Sequence, residues 1–152
     1  MDDCKPMSTP INPKEKLCKE DGTHQVDEAH FRSLIGCLMY LTATRLEIQF
    51  PISVLSRFML CATEIHLKAA RRILRYIKGT VDFGAKFESC QSFELCGFSD
   101  SDWGGDVDDM RSTSGYCFSF GLGVFTWCSR KQDLMTQSAA EAEFVAAAAS
   151  VN

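Results

Sequence analysis

The sequence predicts an α+β fold, in which three helices are followed by a three-stranded antiparallel sheet and a fourth helix. Apolar residues first recur at the three- and four-residue spacing of helices. After Gly79 the period changes to the alternation of short strands. The last stretch, QSAAEAEFVAAAASVN, has the composition of a helix. These changes divide the chain into an extended arm or linker at 1–27, a helical region at 28–92 and a mixed unit at 93–152.

The helical region begins after an arm that contains Pro6, Pro10 and Pro13 and has little apolar periodicity. One buried face predicts the first helix and comprises Phe31, Leu34, Ile35, Leu38, Leu41 and Thr42. A second helix is predicted to begin near Pro51, a residue that suits a first turn. The third is EIHLKAARRILRYIKGT, which Gly79 is placed to end. Its predicted inner face comprises Ala69, Ala70, Ile73, Leu74 and Ile77.

Short β-type segments follow the third helix. They are VDFGAKF, FELCGFS at 93–99, TSGYCFSF at 113–120 and GVFTWCS at 123–129. The turn FGLG joins the last two as a hairpin. Ser138 is a candidate cap for the final helix.

The composition excludes several classes of protein. With 152 residues, 45% of them hydrophobic and 24% charged, the chain is globular rather than disordered. No apolar run approaches the roughly 20 residues of a membrane span, and the N-terminus lacks a signal-peptide core, so we expect a cytosolic or nuclear protein without a membrane partner. The eight cysteines lack zinc-ligand spacing and are interpreted as buried small apolar residues and free thiols.

A basic stripe runs along the third helix. It comprises Lys68, Arg71, Arg72, Arg75 and Lys78. Such a stripe is either a solvated helix face or a surface for nucleic-acid phosphates, and the sequence leaves both interpretations open.

An acidic cluster lies in the stretch GFSDSDWGGDVDDM. Its members are Asp100, Asp102, Asp106, Asp108 and Asp109. A calcium loop is excluded, because Arg111 occupies the position that requires a bidentate glutamate. A magnesium site remains open, with Asp100 at the end of a strand and either Glu141 or Glu143 on the following helix. Only one of these glutamates can face the sheet, since helix positions two apart point in nearly opposite directions.

Several stretches occur in one order: YLTATRLEIQF, LSRFM, AARRILRYIKGT, GFSDSDWGGDVDDMRSTSGYCF, TWCSRKQ and EAEF. Together they resemble the C-terminal part of the Pol polyprotein of copia-type LTR retrotransposons, over essentially the whole chain. The resemblance implies that about the first 90 residues correspond to the thumb and connection that follow the reverse transcriptase palm. It implies that the remainder is the N-terminal half of a ribonuclease H domain.

The resemblance also implies a partial metal site. The first aspartate of SDSDW, Asp100, and the second glutamate of EAEF, Glu143, correspond to two of the four carboxylates that bind Mg²⁺ in this family. The other four aspartates are then interpreted as a solvated turn. The chain ends at Asn152, before the segments that carry the two remaining family aspartates, so we expect weak or absent Mg²⁺ binding.

Further departures from the family are Leu46 and Glu47 in TRLEI, and Ala139 and Ala140 before EAEF. They favour a truncated, decayed copy over an active enzyme.

Three functions are therefore weighed. The first is a Pol-derived fragment without catalysis of its own. The second is an RNA–DNA hybrid nuclease that acts within a longer Pol or is completed by a partner, and the third is a non-specific nucleic-acid-binding protein. Weak binding to hybrid or other nucleic acid is expected, as is self-association through an uncovered sheet edge at 93–99.

Among the remaining residues, His24, His30 and His66 are interpreted as surface or partly buried side chains. Trp103 and Trp127 are predicted to pack against the sheet, with base stacking as the alternative for Trp103.

Overall fold

The computed structural model describes residues 4–87 and 94–151. The chain divides into two compact units, Met1–Gly84 and Ala85–Asn152. The predicted α+β class is confirmed, with helices in both units and one antiparallel sheet in the second. The predicted boundary at 92/93 lies outside the described residues.

The first unit contains three α-helices: α1 (Glu28–Leu41), α2 (Gln49–Ser56) and α3 (Glu64–Gly79). The Asp27 side chain caps α1 by accepting a hydrogen bond from the His30 amide. A short 3₁₀ turn, Leu46–Ile48, leads into α2, and Pro51 lies in the first turn of α2, as predicted. No helix in the described part of the chain combines the length and apolar character needed to cross a bilayer.

One apolar core holds the helices of the first unit together. Its fully buried large side chains are Phe31, Ile35, Leu38, Ile48, Ile52, Leu55, Phe58 and Ile73. Burying a side chain of this size contributes roughly 1.5–3 kcal/mol. This core therefore supplies most of the stabilisation of the first unit.

The prediction that the histidines lie at the surface or are partly buried was wrong for His66, which is fully buried. Its ring stacks on Phe58 with a centroid distance of 4.0 Å. His66 Nδ1 accepts a 3.1 Å hydrogen bond from the amide of Thr63, the N-cap of α3. A histidine thus takes the place that glutamate or glutamine usually has in a capping box, and burial follows from that role.

The predicted β-segment VDFGAKF is also wrong. Residues 81–87 form a turn followed by irregular chain, and all seven are exposed. Apolar and polar residues alternate here, but no strand in the described part of the chain pairs with the segment. Its backbone groups therefore face water, and no β-ladder forms.

The sheet of the second unit consists of β1 (Leu95–Ser101), β2 (Thr113–Phe120) and β3 (Gly123–Lys131) in the order β1-β2-β3. Both pairings are antiparallel, and Asp100 lies opposite Gly115 at the end of β1. The β2–β3 turn has Gly121 at φ 57°, a conformation that glycine adopts without strain.

A final helix, α4 (Ala139–Ser150), packs on β1 and β2. The Ser138 side chain accepts from the Glu141 amide, which confirms the predicted cap.

Few large apolar side chains are buried in the second unit. Among its described residues the buried apolar ones are Ala142 and Ala146. The buried polar ones are Asp106, Ser112, Thr113, Ser114, Ser119, Gln132 and Thr136. This interior consequently depends on hydrogen bonds more than on apolar packing.

Candidate functional site

Asp102 is engaged in closing the loop between β1 and β2. Its carboxylate accepts a hydrogen bond from the Thr113 amide, and its own amide donates to the Thr113 carbonyl at 3.2 Å. The Gly105 amide donates to the Asp102 carbonyl at 2.9 Å, and a Cβ at position 105 would overlap the Asp102 carboxylate. Asp102 and Gly105 therefore fix the fold of the loop.

Lys131 neutralises two more aspartates of this loop. Its Nζ lies 2.7 Å from a carboxylate oxygen of Asp106 and 2.7 Å from one of Asp109. Burial acts to raise the pKa of Asp109, but hydrogen bonds from Lys131 and the Arg111 amide outweigh it and leave the pKa below its usual value. Asp106 also accepts from the Asp108 amide at 2.9 Å. These aspartates do lie in a turn, but the interpretation of the turn as solvated was wrong for Asp106, which is buried and paired with Lys131.

Asp100 differs from its neighbours. It lies on β1, and its side chain is exposed. Within residues 4–87 and 94–151, no hydrogen bond or ion pair reaches its carboxylate. Of the aspartates around the loop, it is the one available to an external ligand.

The two candidate glutamates of α4 point to different partners. Glu143 Oε1 accepts a 3.3 Å hydrogen bond from the amide of Ser101, the residue after Asp100. Glu141 Oε2 accepts a 2.7 Å hydrogen bond from the Gln137 amide before the helix. Glu143 thus faces the end of β1, whereas Glu141 serves the start of its own helix.

Gln132 holds this arrangement in place. Its Nε2 lies 2.9 Å from Ser114 Oγ on β2, 3.0 Å from the Ala142 carbonyl on α4 and 3.3 Å from Ser101 Oγ on β1. The side chain is buried, and the backbone amide of Gln132 donates to the Ser112 carbonyl at 2.8 Å. The sequence indicated this residue only as the last letter of the TWCSRKQ motif, without a role.

The carboxylates present do not complete a metal site. In the described part of the chain, no group of three or more His, Cys, Asp or Glu side chains could hold a metal ion. The Asp100 side chain lies on the face of β1 opposite the Ser101 hydroxyl, which accepts a hydrogen bond from Gln132, because consecutive strand residues point to opposite faces. Since Mg²⁺ requires near-octahedral oxygen ligands, Asp100 and Glu143 do not fit a two-metal centre by themselves.

The basic stripe of α3 is divided between solvent and the arm. Lys68 and Arg71 are exposed, and within the described residues neither has a hydrogen-bond or ion-pair partner. The other three side chains donate to the arm: Arg72 to Thr9, Arg75 to Lys5 and Lys78 to Cys4. Two cations of the stripe are therefore free for an anionic ligand.

The cysteines and Trp103 are the remaining candidate residues. The seven described cysteines are free thiols, as predicted, but the prediction that they are buried was wrong, because each is exposed or only partly buried. Trp103 is 55% exposed, so it does not pack fully against the sheet, although its Nε1 donates to the Thr136 carbonyl at 3.2 Å.

Comparison with known proteins decides the family. The chain is 41% identical over 140 residues to the retrovirus-related Pol polyprotein from transposon RE1 of Arabidopsis thaliana. It is 37% identical over 140 residues to the corresponding polyprotein from transposon RE2 of the same plant. The chain belongs to the Pol polyproteins of copia-type retrotransposons. Each match covers 92% of this Pol segment and 10% of the relative, so the segment spans about a tenth of the length of those two proteins.

A shorter relative matches the same region. The Pol segment is 38% identical over 117 residues to a protein of Plasmopara viticola named secreted RxLR effector protein 161, covering 76% of the segment and 82% of that relative. No family model and no solved structure matches the chain.

Proposed function

We propose that this Pol segment comes from the reverse transcriptase–ribonuclease H region and has no hybrid-cleaving activity of its own. In this proposal the first unit is the thumb- and connection-like part. The second unit is the part of a ribonuclease H domain that carries Asp100 and Glu143. Membership of the Pol family supports this assignment, and so does the hydrogen bond from the Ser101 amide to Glu143 at the end of β1.

The lack of autonomous cleavage rests on the count of available carboxylates. Asp102, Asp106 and Asp109 are engaged within the loop, and Glu141 is engaged at the start of α4. Asp100 and Glu143 remain at the strand end, and two carboxylates hold Mg²⁺ weakly unless other groups complete its coordination. The proposal is therefore a Pol segment that contributes ligands to a site without closing it.

A cleavage assay tests this proposal. Purified chain is incubated with a labelled RNA–DNA hybrid in Mg²⁺ and separately in Mn²⁺, and we expect the RNA strand to stay intact. Cleavage that is present in the unaltered chain and in Glu141→Gln, but absent in Asp100→Asn and Glu143→Gln, would show that the chain is an active nuclease. Glu141 is the matched control, because it lies on the same helix but faces away from β1.

A second candidate is a nuclease that is active only within a longer Pol or with a partner that supplies further carboxylates. The unengaged carboxylate of Asp100 favours it, since a ligand position at a strand end remains open. In a longer Pol polypeptide that cleaves hybrids, Asp100→Asn should abolish cleavage while Asp108→Asn retains it. Equal cleavage by both variants would exclude Asp100 as a ligand.

A third proposal concerns binding without catalysis. We propose weak, sequence-independent binding of nucleic-acid phosphates by the basic stripe, carried by the exposed Lys68 and Arg71. Replacing Arg71, Arg72 and Arg75 by glutamate should remove binding to a duplex. Binding that survives this replacement, or that is unchanged between 50 and about 200 mM salt, would exclude the stripe as the contact surface.

A further inference from the structure

The basic stripe of α3 already has an occupant, which is the start of this same chain. Arg72 Nε lies 3.1 Å from the Thr9 carbonyl, and its Nη2 lies 2.8 Å from Thr9 Oγ1. Arg75 Nε lies 2.7 Å from the Lys5 carbonyl, and Lys78 Nζ lies 3.1 Å from the Cys4 carbonyl. Three successive cations of the stripe thus bind residues 4–9. We call this irregular segment, which is not a β-strand, the arm strand.

The arm strand also contacts the backbone of α3. The Met7 amide donates to the Arg75 carbonyl at 3.3 Å. At the end of the helix, a Cβ added to Gly79 would lie 2.8 Å from the Pro6 Cβ. Pro6 therefore sits where a side chain at position 79 would be, and glycine permits this close approach.

The contacts between the arm strand and α3 are mainly polar. A cavity of about 560 Å³ lies beside them, lined by Met7, Leu34, Leu67 and Leu74 together with the arginines. Met7 also packs, partly buried, against the core of the first unit, so displacing the arm strand exposes this one apolar side chain. The side-chain hydrogen bonds that would break run from cations to neutral oxygens, whereas a phosphate would offer the same cations a full negative charge.

We propose that the arm strand and nucleic-acid phosphates compete for the basic stripe of α3, so that full binding requires the arm strand to leave. The inference rests on the phosphate binding proposed above. With the arm strand in place, Lys68 and Arg71 are available. Without it, Arg72, Arg75 and Lys78 join them.

The salt dependence of DNA binding distinguishes these two states. For duplex DNA the slope of log K against log salt is about −0.9 per neutralised phosphate, so two cations give about −2 and five give about −4.5. Between 50 and 200 mM salt, affinity then falls about tenfold with the arm strand bound and about 500-fold with it released.

Gly79→Ala releases the arm strand without removing a cation. Alanine favours the helix but meets Pro6. Gly36→Ala is the matched control, because it also lies in a helix of the first unit and a Cβ there meets nothing within 4 Å. Deletion of residues 1–9 is a second way to release the arm strand, and circular dichroism verifies that each variant keeps its helices.

Binding of a fluorescein-labelled DNA duplex is measured by anisotropy across salt for the four proteins. We expect Gly79→Ala and the deletion to bind more tightly at 50 mM salt and to show the steeper slope, while Gly36→Ala matches the unaltered chain. Hydrogen exchange of the Met7 amide supplies an independent readout, since DNA should accelerate it in the unaltered chain.

Two results would overturn the inference in different ways. If all four proteins bind with the same slope and the Met7 amide stays protected, competition is wrong, although phosphate binding stands. If neither folded released variant binds at 50 mM salt, phosphate binding itself is wrong and the competition fails with it.

Discussion

At the scale of single residues, Gln132 has a structural role that the sequence left unassigned. One side-chain amide bonds to α4 and reaches serines on β1 and β2 in a buried position. Because the second unit has few buried apolar side chains, such a polar junction carries more of its stability than it would in an apolar core.

Replacing Gln132 by alanine should lower the stability of the second unit by about 1–3 kcal/mol, since buried partners are left without a hydrogen bond. Both tryptophans of the chain, Trp103 and Trp127, lie in this unit, so urea unfolding followed by tryptophan fluorescence reports on it. Gln137→Ala, at an exposed position, is the control. Identical unfolding midpoints for both variants and the unaltered chain would exclude the junction as a stabilising element.

At the scale of elements, the contacts of the loop between β1 and β2 explain how so many aspartates can lie close together. Asp102 folds the loop back on Thr113, while Lys131 at the end of β3 offsets the repulsion between Asp106 and Asp109. The charges are thus tolerated because a cation distant in sequence meets two of them, and Asp100 is left out of that arrangement.

This pairing gives the second unit a defined acid sensitivity. The pKa of Asp109 is lower in the folded chain than its ordinary value of 3.8. Its contribution is therefore fully present above the ordinary value and is lost as the pH falls through the lowered value. We expect Asp109→Asn to reduce the urea midpoint at pH 7 and to show a shallower decline than the unaltered chain below about pH 3.8.

Tryptophan fluorescence at a series of pH values measures this difference. Asp133→Asn, whose carboxylate is highly exposed, serves as the control and should follow the unaltered chain. Parallel curves for Asp109→Asn and the unaltered chain through the acid range would show that the ion pair contributes nothing to stability.

At the scale of the whole molecule, the two units differ in the interactions that stabilise the interior of each. Among the residues that the structure describes, the fully buried large apolar side chains all belong to the first unit. In the second unit many large apolar residues are exposed, among them Leu95, Phe98, Leu122 and Phe144. The second unit should therefore open more readily than the first.

Amide hydrogen exchange on soluble monomer tests this difference. We expect the amides of α3 to be protected well above those of β1, β2 and β3, because opening the sheet exposes little apolar surface. Protection across 94–129 equal to that of α3 would mean that the second unit is as stable as the first.

The edge strand β1 predicts self-association. In the described part of the sheet β1 pairs with β2 alone, and Phe98 is 64% exposed on it. An uncovered strand with apolar side chains pairs readily with another chain, and a lysine on the edge opposes that pairing. We expect Phe98→Lys to reduce concentration-dependent association in sedimentation experiments.

Leu122→Lys is the matched control for the edge. It adds the same charge at an exposed apolar position, but in the β2–β3 turn instead of on the edge strand. If both lysines reduce association equally, the loss of an exposed apolar side chain rather than the β1 edge governs it.

Local patterns in the sequence determined the elements and the family. The spacing of apolar residues predicted α1, α2 and α3, Ser138 predicted the start of α4, and alternation predicted the three strands. The residues of several motifs and the order of those motifs indicated the Pol family, which comparison with known proteins confirmed. Such features are readable because caps, periods and motifs act over a few neighbouring residues.

Only the tertiary structure decided which charged groups are available. Asp100 and Asp106 look alike in the sequence, yet Lys131 forms an ion pair with Asp106 and none with Asp100. Arg71 and Arg75 lie on the same basic stripe, yet Arg75 donates to the arm while Arg71 is exposed. His66 is buried because its ring caps α3 and stacks on Phe58. Each outcome depends on a partner that folding brings near, and the spacing of residues along a chain carries no record of such partners.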